Sequence, residues 1–108
     1  MKYIYNKLVR DKIPENIDKI EGRKATWRRM NDEEYIKELN KKLVEEANEF
    51  IEENDPEELA DIMEVLEGIM LVKNISWEEV RQLQEAKRNK KGGLEEKIFL
   101  EYVEEAKD

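Results

Sequence analysis

The 108-residue chain contains neither cysteine nor histidine. These two absences exclude disulfides, zinc sites built on thiolate or imidazole, thiol nucleophiles and histidine acid–base chemistry. No apolar run approaches the roughly 20 residues of a membrane span, and the N-terminus lacks the apolar core of a signal peptide. A cytoplasmic protein with no membrane partner is expected. Internal repeats, low-complexity tracts and a second-domain linker are absent as well, so residues 1–108 are expected to form a single domain. Positive charge is in short supply: 20 Lys and Arg stand against 28 Asp and Glu, for a net charge of −8. That balance argues against a stable nucleic-acid partner or an anionic membrane surface. The 39% hydrophobic content supports a modest core, and the 44% charged content leaves carboxylates, lysines, metal and water as the available chemistry.

Acidic residues are concentrated in two clusters, Glu45-Glu46-Ala47-Asn48-Glu49 and Glu58-Leu59-Ala60-Asp61. Each lies in a predicted helix. Residues three apart share a helix face, so Glu46 with Glu49, and Glu58 with Asp61, each project two carboxylates toward one point. If the helices pack antiparallel, four carboxylates converge. Like charges in a bundle core repel and desolvate badly unless a cation neutralises them, and an all-oxygen ligand set suits Mg²⁺ or Mn²⁺.

The helix carrying the first cluster is predicted from about Asp32 to Glu53, with Asn31 or Asp32 as N-cap and acidic residues in its first turn. Ile36, Leu39, Leu43, Ala47, Phe50 and Ile51 fall on one arc. Glu46 lies on the edge of that arc, with Glu49 and Glu45 progressively further round. Asp55-Pro56-Glu57-Glu58 starts the next helix with a cap, a proline at the first helical position and a glutamate three residues after the cap. Its apolar residues cover so much of the circumference that it is expected to be central, with Glu58 and Asp61 set within or against that surface. Asn74-Ile75-Ser76 closes it, and Ser76-Trp77-Glu78-Glu79 is a capping box for a third long helix through about Lys90. Gly92-Gly93 breaks that helix, and a final amphipathic segment runs from Leu94 to about Ala106. Toward the N-terminus, a short helical stretch from about Pro14 to Ile20 precedes a basic loop, residues 21–31. The expected class is all-α, an antiparallel helical bundle with short connections. Trp27, Trp77 and Tyr102 read as packing residues.

Three blocks in order carry a family likeness: Asn6-Lys7-Leu8-Val9-Arg10-Asp11-Lys12-Ile13-Pro14; Lys42-Leu43-Val44-Glu45-Glu46-Ala47-Asn48-Glu49 with Glu58-Leu59-Ala60-Asp61; and Lys87-Arg88-Asn89-Lys90-Lys91-Gly92-Gly93-Leu94. The sequence resembles the MazG-like superfamily of all-α nucleoside triphosphate pyrophosphohydrolases, in the house-cleaning branch related to phosphoribosyl-ATP pyrophosphohydrolase. The resemblance implies that Glu46, Glu49, Glu58 and Asp61 hold Mg²⁺, or Mn²⁺, and that Glu45 assists a metal or positions the attacking water. The third block usually reads K…RGGF, so Lys87 matches the basic residue while Lys91 stands for the arginine and Leu94 for the phenylalanine. Lysine keeps the charge but loses the bidentate fork. Lys7, Arg10 and Lys12 are further candidates for holding phosphates.

The activity so implied is metal-dependent hydrolysis of a nucleoside triphosphate, noncanonical ones included, to monophosphate and pyrophosphate, with Glu45 or Glu46 as the base toward water. Phosphoribosyl-ATP hydrolysis in histidine synthesis shares the same site, and a non-catalytic helical interaction module shares the same fold. Because the second long helix is apolar almost all round, a homodimer or higher homo-oligomer is expected. Each residue also has a plainer reading. Any one glutamate in so acidic a chain is a solvated helix surface, and Lys87 to Lys91 equally complement the dipole at a helix C-terminus.

Overall fold

A computed structural model describes residues 1–106, and every regular element among them is helical. The helices are α1 (Ile13–Lys19), α2 (Asp32–Glu53), α3 (Pro56–Val72) and α4 (Trp77–Lys91). No helix among the described residues is long and apolar enough to cross a membrane. The chain divides into two compact units, one spanning Met1–Ile75 and the other starting at Ser76.

The first unit is organised by a hairpin of α2 and α3, which pack on one another. Each begins as its sequence dictates. The Asn31 side chain accepts from the Glu34 N–H at 2.9 Å, and Asp32, Glu33 and Glu34 place negative charge in the first turn of α2. Arg28 then clasps the Glu34 carboxylate with two bonds of 2.7 Å, which ties the basic loop 21–31 to the helix it feeds. At the far end Asn54 adopts a left-handed φ of 59° and donates its N–H to the Phe50 carbonyl at 2.8 Å. Asparagine tolerates that conformation better than most residues. Asp55 follows at once as the N-cap of α3, accepting from the Glu57 N–H at 3.0 Å, with Pro56 opening the helix. A two-residue connection leaves α3 no course but back along α2.

Leu39 on α2, at 3% exposure, and Val65 on α3, at 5%, are the two buried apolar residues of this seam. Gly68 sets its depth. A Cβ built there would stand 2.9 Å from Leu39 Cδ2 and 3.1 Å from the Tyr35 hydroxyl, so the helices come this close only because position 68 carries no side chain. Ile51, expected on the core arc, is exposed. It lies twelve residues beyond Leu39, which turns it about 120° from the seam. On α3, Leu59, Met63 and Leu71 are exposed although the helix reads as central. α2 packs against one side of it.

In the second unit Ser76 caps α4 by accepting from the Glu79 N–H at 3.1 Å, and the helix ends at Gly92, whose φ is 86°. Residues 94–106, expected as an amphipathic segment, form no helix, and Leu94, Ile98, Phe99, Leu100, Tyr102 and Val103 are exposed. A segment this short is marginal as an isolated helix, and its run of β-branched and aromatic residues lowers the propensity further. Trp27 and Tyr102, expected to pack, are also exposed. The Arg29 guanidinium lies over the Trp27 ring at 5.1 Å.

Candidate metal centre

The seam between α2 and α3 does not stay apolar along its length. Glu46 stands seven residues after Leu39, and Glu58 seven before Val65, so each carboxylate falls about 20° from the buried residue it follows or precedes. In antiparallel helices both positions lie toward the Asn54–Asp55 turn. Where two more apolar residues would complete the contact, the chain places two acids. Glu46 is accordingly the one buried charged residue among the described residues, at 7% exposure, and Glu58 and Asp61 are half-buried beside it.

Glu46, Glu58 and Asp61 each offer an oxygen such that all three lie within 4.8 Å of one another, close enough for a single metal ion to be held. Glu46 Oε2 and Glu58 Oε2 are buried with no hydrogen-bond partner. Burial pushes the Glu46 carboxyl above its ordinary range, and the neighbouring Glu49 charge adds to the shift. Burial, then the Glu49 charge, then the approach of Glu46 push Glu58 up to about 7. The fourth acid, Glu49, thus crowds both Glu46 and Glu58 from a half-buried position without joining the three closest oxygens.

Two cations reach this cluster. Lys42, one turn before Glu46, places Nζ 3.6 Å from Glu46 Oε1. Arg10 crosses from the N-terminal segment to α3, where Nη2 donates to Asp61 Oδ1 at 2.7 Å and Nη1 to Glu64 Oε1 at 3.4 Å. Sequence reasoning did not attach Lys42 or Glu64 to the site. Lys42 was within its reach, since the i, i+4 spacing to Glu46 is visible in the chain. Glu64 was not, because its role comes from an arginine 54 residues away.

The other candidates divide by unit. Glu45 points out of the seam and is exposed, lining a shallow depression with Lys7, Glu38, Lys41 and Lys42. Lys12 stands at the N-cap position of α1 without a side-chain cap bond. Lys87 and Lys91 belong to the C-terminal half of α4, in the second unit, where Arg88 binds Glu95 at 2.9 Å. The set Glu46, Glu58 and Asp61, with Glu49 adjacent, is therefore what the first unit brings together. No family model, curated protein or solved structure matches the chain.

Proposed function

We propose that this chain is a divalent-cation-dependent nucleotide pyrophosphohydrolase of the MazG-like type, converting a nucleoside triphosphate to its monophosphate and pyrophosphate. One observation carries the reading: two carboxylate oxygens, Glu46 Oε2 and Glu58 Oε2, are buried without partners beside Asp61. A buried acid with no donor is costly, and a seam needing only adhesion would use leucine there. Hard oxygen ligands and surplus negative charge fit Mg²⁺ or Mn²⁺. Glu46, Glu58 and Asp61 would hold the ion, with Glu49 completing the acidic set. Such an ion supplies neutralisation of phosphate charge and a lowered pKa for water.

The remaining work falls to the chain's own groups. Glu45, exposed next to the cluster, accepts the proton of the attacking water, with Glu46 as the other candidate base. Lys7, Arg10 and Lys12, in the same unit as the acid cluster, offset the phosphate charges. Water oxygen bonds to the α-phosphorus as the bridge to the β-phosphate breaks, and pyrophosphate leaves without a covalent intermediate. A screen of nucleoside triphosphates and phosphoribosyl-ATP with Mg²⁺ and Mn²⁺ in ¹⁸O-labelled water tests this. Label is expected in the monophosphate and none in pyrophosphate. Label in orthophosphate with a diphosphate co-product overturns α-attack, release from phosphoribosyl-ATP alone moves the substrate to histidine synthesis, and no metal-dependent release at all leaves an interaction module. The exposed Leu59, Met63 and Leu71 of α3 support completion of the helical bundle by a second copy.

A further inference from the structure

Arg10 sits in a segment, residues 1–10, that has no regular secondary structure, yet its side chain spans to α3. One end of its guanidinium is given to Asp61, a member of the three-carboxylate cluster, and the other to Glu64, one turn along and outside that cluster. It therefore supplies positive charge at the rim of the same acids that a divalent ion would neutralise. A guanidinium at 2.7 Å and a dication on the same carboxylate repel one another strongly. The pair is also easy to part: the two side chains are 53% and 37% exposed, and ion pairs so open to water are weak. Glu64 lies where it can retain one arm of the fork while Asp61 is surrendered.

We propose that Arg10 is a placeholder cation: it occupies Asp61 while no divalent ion is bound, yields that carboxylate when the ion arrives, and so releases its guanidinium toward the phosphates of the incoming nucleotide. The inference rests on the metal-centre reading above and adds to it an order of events. Phosphate affinity at Arg10 becomes conditional on metal occupancy, because a guanidinium locked on Asp61 has no free fork for a phosphate. A permanent staple would behave otherwise, with Arg10 staying on Asp61 whether or not metal is present.

Calorimetric titration of the full chain with Mn²⁺, without nucleotide, separates the two. Arg10→Gln is expected to bind Mn²⁺ about tenfold more tightly than wild type, since the competing cation is gone. Lys2→Gln removes the same charge from the same segment without an Asp61 contact and is expected to stay within about twofold of wild type. In ¹⁵N-arginine spectra of the wild-type protein, the Arg10 guanidinium signal should shift as Mg²⁺ saturates the site, and this measurement needs no variant to fold. Equal or weaker Mn²⁺ binding by Arg10→Gln, an equal gain in Lys2→Gln, or an Arg10 signal unmoved at saturating Mg²⁺ overturns the placeholder while leaving the metal centre standing. If wild type and Arg10→Gln both fail to bind Mn²⁺, the metal centre itself falls and takes the placeholder with it.

Discussion

At Glu58 a carboxyl group whose ordinary pKa is 4.5 is pushed up to about 7 by burial and by its acidic neighbours, so its proton is bound more tightly in the folded chain than in the unfolded one. A raised folded pKa gives stability that is present in full below pH 4.5 and is lost as pH climbs to about 7. Glu46 shifts in the same direction and acts in the same sense. Glu34 and Glu95 shift downward, so their contributions fade only below the ordinary carboxylate pKa. In EDTA, therefore, the melting temperature should fall between pH 5 and pH 8, and Glu58→Gln should flatten most of that slope and melt higher than wild type at pH 8. A wild-type melting temperature that is level or rising across this interval would contradict the burial of the acid cluster. Millimolar Mg²⁺ should reverse the trend, because an ion bound only by the folded, ionised site stabilises by mass action. Catalysis gives an independent test of the same residues. Amide substitution of Glu46, Glu49, Glu58 or Asp61 should each lower kcat by at least about 100-fold, the scale expected when stabilisation of transition-state charge is lost. Lys7→Ala should mainly raise KM. Near-normal kcat in Glu58→Gln or Asp61→Asn would remove both from the proposed centre.

Among the elements, α2 and α3 test how tightly the fold depends on one missing side chain. Alanine at position 68 would gain about 1 kcal/mol of helix propensity, yet its Cβ would enter the space of Leu39, which is buried and has little room to turn away. Overpacking costs about 1–3 kcal/mol, so Gly68→Ala should be net destabilising by about 1 kcal/mol, read as an earlier urea midpoint with an unchanged m-value. A later midpoint would mean that the seam is looser than the Leu39 contact implies. The elements themselves were largely legible because their signals are local. Asn31, Asp55 and Ser76 each cap the helix they precede, and the expected span of α2, Asp32 to Glu53, is the observed one. The burial of Glu46 and Glu58 was legible in part: their projection against apolar arcs was plain, but their seven-residue spacing from Leu39 and Val65 places them in the seam itself rather than at its edge. Two features lay beyond reach for a common reason. The loss of helix after Gly93 depends on what packs against residues 94–106, and the Arg10–Asp61 pair joins residues 51 apart, a separation for which helical periodicity has no signal.

For the whole molecule the governing tension is between apolar surface that seeks cover and a net charge of −8 that resists association. Leu59, Met63 and Leu71 lie exposed on α3, and burying a residue of this kind is worth about 1.5–3 kcal/mol. Two identical acidic chains repel at long range, but that repulsion is screened over about 8 Å at physiological ionic strength, whereas apolar contact is not weakened by salt. Association through α3 should therefore tighten as salt rises, the reverse of a complex held by opposite charges. Sedimentation at micromolar concentration is expected to give at least twice the 13.0 kDa chain mass, with a dimer dissociation constant that falls between about 20 mM and 500 mM NaCl. Met63→Glu should shift the protein toward monomer, since it sets a carboxylate into the contact and adds to the repulsion. Its Mn²⁺ affinity, measured beside that of wild type, then shows whether the acid cluster of a single chain suffices. A wild-type monomer at micromolar concentration and high salt, still active, would show that α3 does its work with one face bare.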